Sequence, residues 1–307
     1  MLSYYKTIGG HTLSIPACEP GCWINCVAPD DEEINSLIAD FQIEPDFFRA
    51  AMDEEESSHI DNEDNNTLVI LDIPVIEKSG KNITYTTTPL GIILTEKCVI
   101  TVSIKENPII NEFSEDVVKG VQTNLKTRFI LHLMLRIASK YLQYLKQIDK
   151  ISNFVEKELR KSMKNSELIQ LLDIEKSLVY FSSSLKGNEI TIEKIMRGRA
   201  LKLYDEDQDL LEDVLIEIKQ AIEMSNIHLN ILSGTMDAFA SVISNNLNMV
   251  MKILASITLL ISIPTVISSM YGMNVTGAPF PVFWFPVGFS IALMAIAYFI
   301  LRKKNMF

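Results

Sequence analysis

The sequence predicts an α/β cytosolic domain over residues 1–120, a long helical stalk over 121–248 and two transmembrane helices over 249–270 and 282–301. Three observations carry that prediction. Charge is sharply partitioned along the chain, two long apolar runs crowd the C-terminal end, and apolar residues ahead of them recur in steps of three and four.

The partition comes first. Residues 1–120 hold 22 acidic and 7 basic side chains, residues 121–248 are balanced, and residues 249–307 carry only Lys252, Arg302, Lys303 and Lys304 as charges. An acidic N-terminal domain repels nucleic-acid phosphate, so no nucleic acid is expected as a partner, whereas cations would gather at such a surface. Within this domain, β-rich runs occur at 23–27, 68–76, 83–85, 90–94 and 99–104. Between the first two, Asp30-Asp31-Glu32-Glu33 opens an amphipathic stretch with Ile34, Leu37, Ile38 and Phe41. Acidic residues in a first turn complement the helix dipole, so they read as capping rather than chemistry. Asp53-Glu54-Glu55-Glu56 reads as a solvated face in the same way.

From about Ser114 the pattern is helical, and Gly187-Asn188 is its clearest break. Beyond that break Leu211, Leu215, Ile218, Ile222, Leu229, Leu232, Met236, Phe239 and Ile243 keep a coiled-coil spacing. One continuous helix is therefore expected from near Glu189 to Met270.

Residues 249–270 would rise about 33 Å as a helix, enough to cross a bilayer, and 282–301 is a second such run. The intervening 271–281 is uncharged, and Gly277, Pro279 and Pro281 break it into an extracytoplasmic loop. A two-span hairpin puts both chain ends on one side. The basic tail 302–307, with Arg302-Lys303-Lys304, marks that side as cytoplasmic, and Phe283, Trp284 and Phe285 suit the opposite interface. Both termini are then cytoplasmic. Met1-Leu2-Ser3-Tyr4-Tyr5-Lys6 leads into polar sequence without the apolar run of a secretory signal.

Within the first span Thr258, Ser262, Thr265 and Ser269 share a face that continues through Ala255, Met251 and Asn248. Hydroxyl residues at that spacing bond to their own helix, glue helices together, or line a polar path, and the spacing alone does not choose. Two spans cannot enclose a path, so conduction would need a closed ring of copies, each contributing one stripe. Oxygen-lined rings suit a hydrated Mg2+, which sheds water reluctantly, and Met251 with Leu254 would form a collar that gates by dewetting.

Other chemistries find less support. His11, His59, His132 and His228 are scattered, and neither a nucleophile–base spacing nor a glycine-rich phosphate loop is present. Cys18, Cys22 and Cys26 recur every fourth residue and suggest a metal site with His11. The stretch around 23–27 reads as a strand, however, where that spacing reaches too far for one tetrahedral ion, so they read as structural or incidental thiols in a reducing cytosol.

Tyr271-Gly272-Met273-Asn274, ending the first of two C-terminal spans and followed by a short loop, a second span and a basic tail, resembles the signature of the CorA family of magnesium and cobalt channels, within the two-transmembrane Gly-Met-Asn superfamily. Trp23-Ile24, Pro29, Glu33, Pro45 and Asp53-Glu54-Glu55 resemble the opening of the family's N-terminal domain. The resemblance implies a funnel-shaped homopentamer in the plasma membrane that passes Mg2+, Co2+ or Ni2+ down the membrane potential and needs no cofactor. It implies that Asn274 forms the outer-mouth ring, that Gly272 brings carbonyls to the same site, and that Asn248, Met251, Leu254 and Thr265 line the pore. It places Asp213, with Glu77 as a looser match, at an inter-subunit site where Mg2+ would hold the pore closed. Two features depart from the family. No acidic residue follows Asn274 through Pro281, and Glu206, Asp207, Asp209 and Glu212 compete with Asp213 for the regulatory role. The alternatives are a zinc transporter of the same superfamily, proton-coupled or not, from which Met273 argues away, and a membrane-tethered sensor or enzyme.

Overall fold

The computed structural model describes residues 1–63, 65–79, 82–162, 165–198, 201, 203–273, 284–304 and 306. It divides into two units, 1–233 and 234–307.

The first unit is built on a seven-stranded sheet of β1 (Leu2–Ile8), β2 (His11–Ile15), β3 (Trp23–Val27), β4 (His59–Glu63), β5 (Asn66–Ser79), β6 (Asn82–Leu94) and β7 (Val99–Ser103). The spatial order is β2-β1-β3-β7-β6-β5-β4, antiparallel except where β3 lies parallel to β7 with Trp23 opposite Val99. Gly9 and Gly10, both at positive φ, turn β1 into β2, as a tight hairpin requires. Two helices, α1 (Asp31–Phe41) and α2 (Pro45–Ala51), cover one face. Asp30 accepts from the Glu33 amide while the Glu33 carboxylate accepts from the Asp30 amide, so the expected capping role of this acidic run holds. Beneath these helices Ile24, Cys26, Leu37, Phe47, Phe48, Ile100 and Val102 form a core.

On the other face lie α4 (Lys126–Ser162) and α5 (Asn165–Met196), with the short α3 (Pro108–Ser114) leading in. Alternation along β3 sends Trp23 to this side, where its ring lies 5.3 Å from Phe129 and its indole N–H donates to Thr101 at 2.9 Å. Tyr141 meets Phe181 edge-on at 5.0 Å, and Phe181 in turn meets Tyr85 at 6.2 Å.

The stalk departs from expectation. Gly187-Asn188 is not a break but the interior of α5, and the long helix does not begin near Glu189. It is α6 (Gln208–Tyr271), preceded by a 3-10 turn at Asp205–Asp207. Helix α5 ends at Met196, just before Gly198, whose φ of +72° suits a residue without Cβ. Gly187 serves closeness instead: a Cβ there would lie 3.3 Å from that of Ser58. The start of α6 packs in this unit through Leu211, Val214, Leu215 and Ile218, and Ser225 donates to the Leu178 carbonyl at 3.2 Å.

The second unit contains the rest of α6 and α7 (Trp284–Lys303), the latter ending two residues beyond the predicted span. Both helices are long and apolar enough to cross a membrane, and their apolar stretches are almost entirely unburied within the chain.

Candidate functional site

Residues 248 to 273 carry most of the expected site, and all of its described members except the half-buried Tyr271 are exposed within the chain: Asn248, Met251, Leu254, Ala255, Thr258, Ser262, Thr265, Ser269, Gly272 and Met273. Exposure alone decides little on so bare a helix. The opposite face is more informative. Ser256 is buried, donating to the Lys252 carbonyl at 2.8 Å and lying 3.3 Å from the Met306 carbonyl. Leu260, Ile263, Pro264, Ile267 and Tyr271 continue that face as half-buried positions, and the Tyr271 ring lies 6.4 Å from that of Phe285 on α7. At 3.6 residues per turn, the stripe through Ala255, Thr258, Ser262, Thr265 and Ser269 lies about half a turn from it. The hairpin thus occupies one side of α6 and leaves the hydroxyl stripe on the other.

The hydroxyls are also oriented. Thr258 donates to the Leu254 carbonyl at 2.8 Å, Ser262 to Leu259 at 2.8 Å and Thr265 to Ile261 at 2.9 Å. This is the backbone bonding expected of such residues in an apolar helix. It commits each proton inward and leaves lone pairs facing out. A hydrated cation presents its water hydrogens outward, so a row of committed acceptors complements it. At the end of α6 the Gly272 amide still bonds the Ser268 carbonyl at 2.9 Å, and a Cβ at Gly272 would crowd that oxygen at 3.2 Å. The expected mouth residue Asn274, like the loop through Pro281 and the first two residues of the second predicted span, lies outside the described residues.

Asp213 sits exposed on the first turns of α6, and Glu77 is exposed on β5. Among the described residues neither belongs to a cluster of three metal-ligating groups within one chain. Of the acids near Asp213, Asp207 is buried, its carboxylate accepting from the Tyr204 amide at 3.4 Å, and Glu206 pairs with Arg128 at 3.6 Å. These are local capping and pairing roles.

One cluster escaped the sequence reading. Cys18, Cys22 and Cys98 bring their sulfurs within 4.8 Å of one another. Neither Cys26 nor His11 takes part. Burial pushes the Cys26 thiol up to about 12, and His11 bonds Asp116 at 2.8 Å. The four-residue spacing misled because Cys18 and Cys22 lie in the connection before β3 rather than along the strand, and the third thiol comes from the neighbouring parallel strand's start. No local pattern signals Cys98.

Comparison with known proteins gives a consistent result. Residues 19–303 match the family described as CorA-like Mg2+ transporter protein. The cobalt/magnesium transport protein CorA of Methanocaldococcus jannaschii is 25% identical over 291 residues, covering 92% of this chain and 90% of that protein. Its counterpart in Thermotoga maritima is 23% identical over 226 residues, covering 70% and 64%. The complete structure of the M. jannaschii CorA magnesium transporter superposes with a TM-score of 0.86 at 22% identity, over 100% of this chain and 99% of that one. The cytoplasmic domain of ZntB from Vibrio parahaemolyticus shares the fold at a TM-score of 0.60 and 14% identity, over 80% and 97%.

Proposed function

This chain belongs to the CorA-like Mg2+ transporter family, membrane transporters of divalent cations rather than enzymes, and from that premise we propose that it is a passive Mg2+ channel. In this reading copies of the chain assemble as a homopentamer in the plasma membrane, both termini cytoplasmic, with α6 around a central path that also admits Co2+ and Ni2+. The observation that carries it is the hydroxyl stripe on the face of α6 turned away from the α7 contacts, its protons already given to backbone carbonyls.

Each element then has a part. Gly272, Met273 and Asn274 form the outer mouth and receive the ion with its water shell. Thr265, Ser262 and Thr258 pass it inward by accepting from that shell, so dehydration is avoided. Met251 and Leu254, each 56% exposed in the single chain, close an apolar collar near the cytoplasmic end, and Asn248 lies beyond it. The potential supplies about 2.3 kcal/mol per charge per 100 mV, and about twice that for a divalent ion, so no nucleotide is needed. Asp213 of one copy and Glu77 of its neighbour would share a regulatory Mg2+, whose loss leaves like charges facing and loosens the ring.

The test is Mg2+ uptake into liposomes holding the purified protein, inside negative and without a pH gradient. Uptake that collapses when the potential is removed is expected. Zn2+ uptake that needs a pH gradient, with no Mg2+ flux, would replace this reading with zinc transport.

A further inference from the structure

Cys18, Cys22 and Cys98 come from three places in the fold: one lies in the β2–β3 connection, one immediately before β3, and one immediately before β7. The parallel register sets Trp23 opposite Val99, which puts Cys22 beside Cys98 at the strand starts. The Cys18 and Cys22 sulfurs are 3.5 Å apart, and all three fall within 4.8 Å of one another. Cys22 and Cys98 are fully buried while Cys18 is exposed.

The backbone around them is fixed from several sides. Gly21, at φ +77°, donates to the Lys97 carbonyl at 2.8 Å, and the Cys22 amide donates to the Glu19 carbonyl at 3.0 Å. The Thr95 hydroxyl donates to the Cys98 carbonyl at 3.0 Å while its oxygen accepts from the Cys98 amide at 3.1 Å. Lys126 on α4 holds the β6–β7 turn through the Thr95 and Glu96 carbonyls, each at 2.7 Å. Three thiols are therefore presented by a braced turn and two paired strand starts, not by a loose tail.

Sulfurs bound at about 2.3 Å to a tetrahedral ion stand roughly 3.8 Å apart, so this trio reaches ligating geometry with small side-chain rotations. We propose that Cys18, Cys22 and Cys98 form a three-thiolate site for a thiophilic cation of the Zn2+ class, separate from the transport path. Among the described residues no His, Asp or Glu completes a four-ligand set there, so the fourth position opens to water on the exposed Cys18 side. Three soft donors discriminate against Mg2+, which takes oxygen ligands, and so the site does not compete for the hard transported ion. Occupied, it would clamp the β2–β3 connection onto the sheet.

The test is a titration of the reduced, metal-free, full-length protein in detergent with Cd2+, under argon and with millimolar Mg2+ present to fill oxygen sites. Thiolate-to-metal charge-transfer absorbance is expected to saturate at one equivalent per chain, and Cd2+ added to the Zn2+-loaded protein is expected to release one Zn2+ per chain, the softer ion holding thiolates more tightly. Cys18→Ser, at an exposed position the fold does not need, is expected to lower the band by about a third and to weaken binding at least tenfold. No band in the wild type, or an unchanged band and affinity in Cys18→Ser, overturns the proposal. So does a Cys18–Cys22 disulfide that persists under reductant, which would make the pair a redox element instead. The absorbance needs no ion flux, so failure here and failure of the channel reading are separately visible.

Discussion

The side-chain amide of Asn188 spans both backbone groups of Asp72. Its oxygen accepts from the Asp72 amide at 2.9 Å and its nitrogen donates to the Asp72 carbonyl at 2.8 Å. The same oxygen accepts from the Ser58 hydroxyl at 2.8 Å, so one buried residue of α5 pins the β4 and β5 region beneath it. Replacing it by Ala leaves the Asp72 amide with only the Ser58 hydroxyl at 3.2 Å and the Asp72 carbonyl with only the Tyr141 hydroxyl at 3.1 Å. Asn188→Ala is expected to destabilise the protein by about 1–3 kcal/mol. Thermal unfolding followed by tryptophan fluorescence measures this, with Ser58→Ala expected to cost about 1 kcal/mol.

That contact explains where the sequence misleads. Gly and Asn are poor helix formers, so Gly187-Asn188 reads as a break. Tertiary closeness to Ser58 and Asp72 overrides propensity, and the break falls instead at Gly198. Strand β3 was legible because Trp23–Val27 is short, apolar and β-branched at its end. β6 read as two runs because polar Thr86, Thr87 and Thr88 and the amide-lacking Pro89 interrupt it, yet they stay paired with β5. Gly9-Gly10 between two short runs carries a hairpin signal for β1 and β2 that the sequence reading passed over. The hydroxyl stripe was legible because one helix holds all of it. The cysteine cluster was not, since a contact between strand starts 76 residues apart leaves no local spacing.

Gly91 on β6 faces α2 at a distance that excludes any side chain. A Cβ there would lie 2.4 Å from the Cβ of Ala51 and 3.4 Å from its Cα, so relief requires moving helix backbone. Gly91→Ala is expected to destabilise by about 1–3 kcal/mol through overpacking, despite the gain in strand entropy. Chemical denaturation of the purified protein checks it, and a neutral result would mean that α2 sits farther from the sheet.

Glu112 on α3 holds Arg136 and Lys140, one turn apart on α4; the Lys140 contact is 3.0 Å. Partial burial works to raise its pKa, but the two cations outweigh it and hold the carboxyl below its usual value. A depressed folded pKa means that the stabilisation is fully present above the unfolded value, about 4.3, and is lost as pH falls through the folded one. Glu112→Gln is expected to lower stability by about 1–2 kcal/mol at pH 7 and to flatten the loss between roughly pH 5 and 3. Melting temperatures of both proteins across that range would show the curves converging in acid.

Thr258 and Thr265 differ from Ser256 in what their oxygens can meet. All three donate to a carbonyl on their own helix. Ser256 is buried on the α7 side near Met306, whereas the two threonines are exposed on the far face. If that face lines the path, removing an acceptor costs the passing hydrated ion about 1 kcal/mol per site. The double change Thr258→Val and Thr265→Val keeps side-chain shape and is expected to slow Mg2+ uptake into liposomes roughly thirtyfold, with little effect on melting. Ser256→Ala should do the reverse, costing about 1 kcal/mol of stability while leaving uptake within about twofold. Equal uptake by the double variant and the wild type would remove the stripe from the path and assign these hydroxyls to helix bonding alone.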